Sequence, residues 1–174
     1  MIKAETLTLF DFDKHKDEET WRSIDDVVMG GVSASKFHVA PEGLGVFEGT
    51  LSLERGGGFA SVRSRPAQMD LSAYDGLAIR VRGDGKRYRL RLRADPEFDG
   101  VAYQVGFETQ AGVWETMRFS FDRFRPTYRG RDVPDAPPLS LDTIMSFGWM
   151  IADKQAGPFR LEIDWVRAYA DRAR

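Results

Sequence analysis

Apolar and polar residues alternate with a period of two along most of this chain, and a helical 3.6-residue recurrence is hard to find. In Leu77–Arg82 and Arg87–Arg93 nearly every second position is apolar, the pattern of a strand with one face on a core and the other in water. Scanned this way, the sequence predicts about ten strands: Thr6–Phe12, Ser33–Val39, Val46–Leu53, Phe59–Arg65, Leu77–Arg82, Arg87–Ala94, Val101–Thr109, Glu115–Phe121, Thr143–Ala152 and Phe159–Ala168. So many strands exceed one flat sheet, so an all-β sandwich or jelly roll is expected. Residues 13–28, polar and then aromatic, read as a crossing loop with one helical turn. Residues 123–142, with Pro126, Pro134, Pro137 and Pro138, read as a long ordered loop, and the end at Asp171–Arg174 as a frayed tail.

With no linker, repeat or low-complexity tract, one domain is expected over all 174 residues. A chain of that length removes roughly 70% of its unfolded surface from water. The absence of cysteine excludes disulfides, thiolate metal sites and a cysteine nucleophile. Met1–Thr6 carries no apolar leader core, acids begin at Glu5, and no run of about 18 apolar residues occurs. The expectation is a bacterial cytoplasmic protein with no integral membrane segment, meeting a membrane only through a partner. A net charge of −2 argues against nucleic acid, although 19 arginines stand against 6 lysines.

The densest signal is Trp21–Ser33, where a Trp anchor precedes Asp25, Asp26, Met29, Gly30, Gly31 and Ser33. A second glycine segment, Gly56-Gly57-Gly58-Phe59-Ala60-Ser61-Val62-Arg63, follows one strand later. Together with Phe10-Asp11-Phe12, Phe47-x-Gly49, Gly83-Asp84-Gly85, Tyr128-Arg129-Gly130-Arg131 and Asp153-Lys154-Gln155, these segments resemble the complex I intermediate-associated protein 30 family. The resemblance implies a galactose-binding-domain-like jelly roll and a non-enzymatic role in assembling respiratory complex I. A protein partner, complex I subunits or assembly intermediates, is expected on the loops bearing Asp25, Asp26, Met29, Gly30, Gly31 and Ser33 and on Tyr128, Arg129 and Arg131. Trp21, Gly57, Gly58, Phe59, Gly83 and Gly85 are expected to shape the fold.

Neighbouring carboxylates diverge on an extended segment, so Asp25 and Asp26 are no acid/base dyad. They cap loop backbone, with Asp25, Asp26 and Asp153 the weak alternative as calcium ligands. Read as one hairpin around Gly83–Gly85, strand alternation places Arg80, Arg82, Arg87, Arg89, Arg91 and Arg93 on a single face. Like charges on paired strands repel, so this face is either neutralised by Glu108, Glu162 and Asp164 in a salt lattice or holds an anionic ligand or acidic protein segment. Gly56-Gly57-Gly58 lacks a P-loop's Gly-Lys-Ser/Thr ending and opens a strand. His15 and His38 lack zinc spacing, and no serine sits in a nucleophile elbow. No catalytic constellation and no cofactor are expected. A carbohydrate-binding module is the alternative function, suggested by the jelly roll and the aromatic content.

Overall fold

The computed structural model describes residues 2–12, 21–25, 31, 33–56, 58–96 and 100–173. The strands are β1 (Ile2–Phe10), β2 (Trp21–Ser23), β3 (Ala34–Val39), β4 (Gly45–Leu51), β5 (Ala60–Ser64), β6 (Gly76–Arg82), β7 (Arg87–Arg93), β8 (Ala102–Glu108), β9 (Trp114–Ser120), β10 (Arg125–Tyr128), β11 (Arg131–Asp132), β12 (Ser146–Ile151) and β13 (Gly157–Ala173). They form two sheets. One runs β3-β4-β13-β6-β9 with β1 added on β13, and the other runs β11-β10-β8-β7-β12-β5-β2. All ten strands expected from alternation are present. The additional ones, β2, β10 and β11, are too short or too proline-bearing to alternate, and only their pairing makes them strands.

The apolar faces of the two sheets meet in a shared core. From the first sheet it takes Val46, Phe47, Leu77, Ile79, Val81, Leu161 and Ile163, and from the second Val62, Tyr88, Leu90, Leu92, Val105 and Trp149. Each such fully buried side chain contributes roughly 1.5–3 kcal/mol. One end is closed by aromatic rings, with Trp21 stacked on Phe37 at 4.8 Å between centroids and Phe10 edge-on to Phe147 at 5.3 Å. Trp21 is thus a buried anchor, as its place before the acidic loop predicts.

Three expectations change. The chain end is not frayed through Asp171: β13 pairs with β1 in register from Arg167 to Ala173, and Asp171 meets Arg118 at 2.9 Å. Along β13 the alternation breaks, because a register shift between Ile163 and Trp165 inserts Asp164 as a bulge. Val166 and Ala168 therefore enter the core, and Trp165 lies partly exposed beneath the Arg167 guanidinium at 3.9 Å.

The largest correction concerns Gly83–Gly85, which is not a hairpin. β6 pairs with β13 and β9, and β7 with β12 and β8, so the chain arches from one sheet to the other. An arch satisfies the same alternation, because the two apolar faces then oppose each other across the core instead of lying side by side. Thr109 fastens it: its hydroxyl donates to the Lys86 carbonyl at 2.8 Å and accepts from the Gly85 N–H at 3.1 Å. Asp84 accepts from the Tyr88 hydroxyl at 2.9 Å and from the Arg160 N–H at 2.8 Å, and burial, then the Asp84 charge, push the Tyr88 phenol well above its ordinary pKa.

Arg80 and Arg82 are consequently on the outer face of the first sheet, away from Arg89, Arg91 and Arg93. There they form ion pairs, Arg80 with Asp164 at 3.2 Å and Arg82 with Glu162 at 2.9 Å, with both guanidiniums over the Trp114 ring. The Arg80 pair is solvent-screened, so Arg80→Ala is expected to cost only about 0.5 kcal/mol in urea unfolding. A loss several times larger would make the lattice a main support of that sheet.

Candidate functional site

Asp25 follows β2 at the open edge between the two sheets, and its carboxylate ties them together. Oδ2 accepts the Ser35 N–H of β3 at 2.8 Å, while Oδ1 accepts the Ser61 N–H of β5 at 3.0 Å and the Ser35 hydroxyl at 2.5 Å. The Ile24 N–H donates to the Ser61 carbonyl at 2.7 Å, and the Ser61 hydroxyl donates back to the Ile24 carbonyl. Ser33, buried, closes the next turn by accepting the Ser52 N–H at 2.8 Å and donating to the Ser52 carbonyl at 3.1 Å. Gly31 is buried beside it. Asp26, Met29, Gly30 and Gly57 lie outside the described residues.

Asp153, the other described member of the weak calcium set, is engaged elsewhere. It occupies the β12–β13 turn at φ 61° and meets Arg89 at 2.5 Å and Arg87 at 3.9 Å. Its neighbour Gln155 completes the turn through the Arg87 backbone, accepting its N–H at 2.8 Å and donating to its carbonyl at 2.9 Å. Among the described residues no three His, Asp or Glu side chains gather as a metal site.

Tyr128-Arg129-Gly130-Arg131 is the two-residue hairpin between β10 and β11, with Tyr128 paired to Arg131 and positive φ at both central residues, 49° at Arg129 and 79° at Gly130. That is the type I′ geometry matching strand twist, which explains the glycine. The Arg129 guanidinium lies 5.4 Å from the Tyr128 ring, and Arg131 is exposed.

This hairpin, Ile24 and the Gly58–Arg63 segment border one cleft of about 730 Å³ on the outer face of the second sheet. Three segments far apart in sequence, each carrying or adjoining one of the motifs, thus converge. Among the described residues, the cleft lining includes Arg63, Arg89, Arg91, Arg93 and Arg129 and the carboxylate of Asp132, with Ile24, Phe59, Met150 and Ala152 as its apolar part. Arg63 ends the second glycine segment but is not singled out by the sequence as a site residue, because its sequence neighbours do not tell which strands lie beside it. Strand register brings it in: Gly148 of β12 pairs with Arg63 on one side and with Arg91 on the other.

Arg91 is partly buried and its partners are neutral: the Gln104 side-chain oxygen accepts from Nε at 3.2 Å and the Thr127 hydroxyl from Nη2 at 3.5 Å. Burial, followed by the charges of Arg93, Arg63 and Arg89, pushes its pKa down to about 9. It is still a cation at neutral pH, held at a cost. Arg93 donates to the Gly100 carbonyl at 2.7 Å. Such a surface can bind and orient a group of negative charge.

Comparisons with known proteins bear on both the fold and the family. Residues 10–163 match the sequence profile of the family described as Complex I intermediate-associated protein 30. The mouse protein named Complex I intermediate-associated protein 30, mitochondrial, is 29% identical over 193 residues, covering 99% of this chain and 59% of that protein. The Drosophila melanogaster protein of the same name is 28% identical over 185 residues, covering 94% of this chain and 62% of that protein. The chain spans about three-fifths of the length of these curated relatives. Among solved structures, the family 11 carbohydrate-binding module of the cellulosomal cellulase Lic26A-Cel5E of Clostridium thermocellum superposes with a TM-score of 0.69 over 94% of both chains at 17% identity. That likeness is one of fold, a jelly roll of the galactose-binding-like kind. The relatives overturn the bacterial cytoplasmic location expected from the sequence, since both are named as mitochondrial proteins. No helix among the described residues is long and apolar enough to cross a membrane. With residues 10–163, most of its length, inside the profile, the chain belongs to the complex I intermediate-associated protein 30 family.

Proposed function

We propose that this chain is a non-enzymatic assembly module that holds a protein subunit or intermediate of respiratory complex I while the complex is built. The observation that carries the reading is family membership, with matching relatives named for association with a complex I intermediate. What supports its placement on the molecule is the meeting of the Ile24–Asp25 edge, Gly58–Arg63 and Tyr128–Arg131 at one surface. The partner is held by the rim of that surface, where Asp25 and Ser33 brace the loop and Arg129 and Arg131 stand exposed on a rigid hairpin. The loop residues Asp26, Met29 and Gly30 belong to the same docking segment. Membrane association, on this reading, comes through the partner.

The carbohydrate reading has less support. Phe59 is the one aromatic residue in the described lining of the cleft, and the partly exposed Trp114 and Trp165 lie on the opposite sheet under arginines. A sugar-stacking platform needs open aromatic faces.

Affinity capture of the tagged protein from its native host in mild detergent, read by mass spectrometry, tests the assembly role. Complex I subunits are expected with the wild type, and the Arg129→Glu, Arg131→Glu variant should lose them while melting as the wild type does. Capture that yields no complex I component overturns the reading, and saturable binding on a glycan array would favour the carbohydrate alternative.

A further inference from the structure

We propose that the open backbone edge of β8, at Gly106 and Glu108, takes an extended segment of the docked protein partner as an added strand, with an acidic residue of that segment beside Arg125. The inference rests on the assembly reading above and says how the partner is gripped.

Register leaves the edge open. β8 pairs with β7 from Tyr103 to Glu108, but β10 covers its other side only from Ala102 to Gln104. The Thr109 N–H donates to the Lys86 carbonyl at 3.2 Å, which sets the phase of the antiparallel ladder. Counted from that bond, Val105 and Phe107 exchange hydrogen bonds with β7, while Gly106 and Glu108 turn their N–H and C=O groups the other way. Pro126 agrees with this phase, since it has no N–H and stands opposite Tyr103, whose backbone groups face β7. β10 begins no earlier because Phe121 and Phe124 are buried, which draws the preceding chain off the edge and into the core. Gly106 and Glu108 are both exposed, and among the described residues no strand pairs with them on that side.

Unpaired donors and acceptors at strand spacing are complementary to one chemistry, another extended backbone. The edge lies in a groove of about 500 Å³, with Gln104, Val105 and Gly106 on one side and Arg123 and Arg125 on the other. Edge strands are ordinarily blunted, as β9 is by Glu115, which shares a face with buried Val81, and β10 by Pro126. Gly106 does the reverse: an added Cβ would have only the Tyr88 carbonyl oxygen within 4 Å, at 3.9 Å, so an incoming strand meets a bare surface. Charge then selects the segment. The added residue opposite Gly106 has its side chain on the outer face, next in line to Arg125 and across Gly106 from Arg89. Arg125 is exposed and makes no ion pair among the described residues, so an acid at that position finds a guanidinium. Asp122 and Asp132 also line the groove, which makes the preference one for a single placed acid and not for a polyanion. The residues before and after that acid point inward beside buried Val105 and Phe107 and are apolar. Arg89, Gln104 and Asp132 line both this groove and the cleft, so the edge is continuous with the docking surface.

The test uses the full chain and a displayed library of random twelve-residue peptides. Enriched peptides are expected to carry Asp or Glu between apolar residues. A synthetic copy of the most enriched one should bind saturably, and about tenfold more weakly to Gly106→Pro, which removes an outward N–H without breaking a bond to β7. Arg125→Glu should weaken it equally, and Arg80→Gln on the opposite sheet should leave it unchanged. The Gly106 and Glu108 amides should exchange freely in the chain alone and slow when peptide is added, with Phe107 protected throughout. If Gly106→Pro melts early, Arg125→Glu and amide exchange carry the test. No enriched peptide, wild-type affinity in both variants, or unslowed Gly106 and Glu108 amides would overturn the site, as would a dimer of this chain that Gly106→Pro dissolves. Enriched peptides lacking an acid overturn the role of Arg125. Complex I subunits captured by the wild type should fall off in a folded Gly106→Pro chain, and undiminished capture overturns this grip while the assembly reading stands. Peptide binding at the edge by a chain that captures no complex I component has the opposite meaning: the strand site holds and the assembly reading fails.

Discussion

Replacing Asp25 with alanine is expected to lower stability by about 3 to 5 kcal/mol, a drop of roughly 10 °C in the melting temperature for a chain of this size. The variant deprives the Ser35 and Ser61 N–H groups and the Ser35 hydroxyl of a charged acceptor. Hydrogen bonds to charged groups are each worth about 1.5–3 kcal/mol, and partly buried donors left unpaired add a desolvation penalty. The loss exceeds that of an ordinary loop cap because the three donors belong to strands of opposite sheets. Asp25→Asn keeps one acceptor oxygen and should lose about half as much. EDTA should leave the wild-type midpoint in place. A calcium-dependent rise in melting temperature that disappears in Asp25→Asn would reassign the carboxylate from capping to metal binding.

Gly49→Ala is expected to cost about 3 kcal/mol, at the upper end for overpacking. A Cβ at Gly49 would stand 2.0 Å from the Ala34 carbonyl oxygen and 2.7 Å from the Ser35 Cα, both backbone atoms of β3 that no rotamer change can move. The strand itself must shift, and with it Ser35, which pairs with Gly49 and donates to Asp25. The two losses should therefore be non-additive in a double-mutant cycle. Gly106→Ala is the control. There the nearest atom to an added Cβ is the Tyr88 carbonyl oxygen at 3.9 Å, so the unfolding free energy from urea titration should change by no more than about 0.5 kcal/mol. Equal midpoints for the two variants would show that β3 is free to move away from β4, and that Phe47-x-Gly49 is not a close-approach site.

Both predictions concern the edge that supports the candidate docking rim, and their coupling bears on function. Ser35 and Ser61 hold Asp25, Ser61 lines the cleft, and Arg63 follows two residues later on the same strand. Any change that loosens Asp25 therefore disturbs the rim and, through β5, the floor. Variants intended to probe binding are better placed on the exposed β10–β11 hairpin, at Arg131, than at the Asp25 tie between the sheets.

Alternation along the chain was enough to place the ten longer strands, because burial on one face and hydration on the other act residue by residue within each strand. The motifs between Trp21 and Arg131 pointed to the family and to a capping use for Asp25, since acceptor chemistry at a loop is a local property. Partnership between strands is not local. Leu77–Arg82 and Arg87–Arg93 alternate identically whether the turn between them closes a hairpin or an arch. The choice was made by β13 and β12, each more than fifty residues away, which compete for the same backbone edges. That choice separated Arg80 and Arg82, ion-paired on one sheet, from Arg89, Arg91 and Arg93 in the cleft on the other, and left Arg87 at the Asp153 turn. It also recruited Arg63 through Gly148, a contact that exists only in the register. The Asp164 bulge is of the same kind: one inserted residue reverses which side chains face the core, and only packing against β6 selects it.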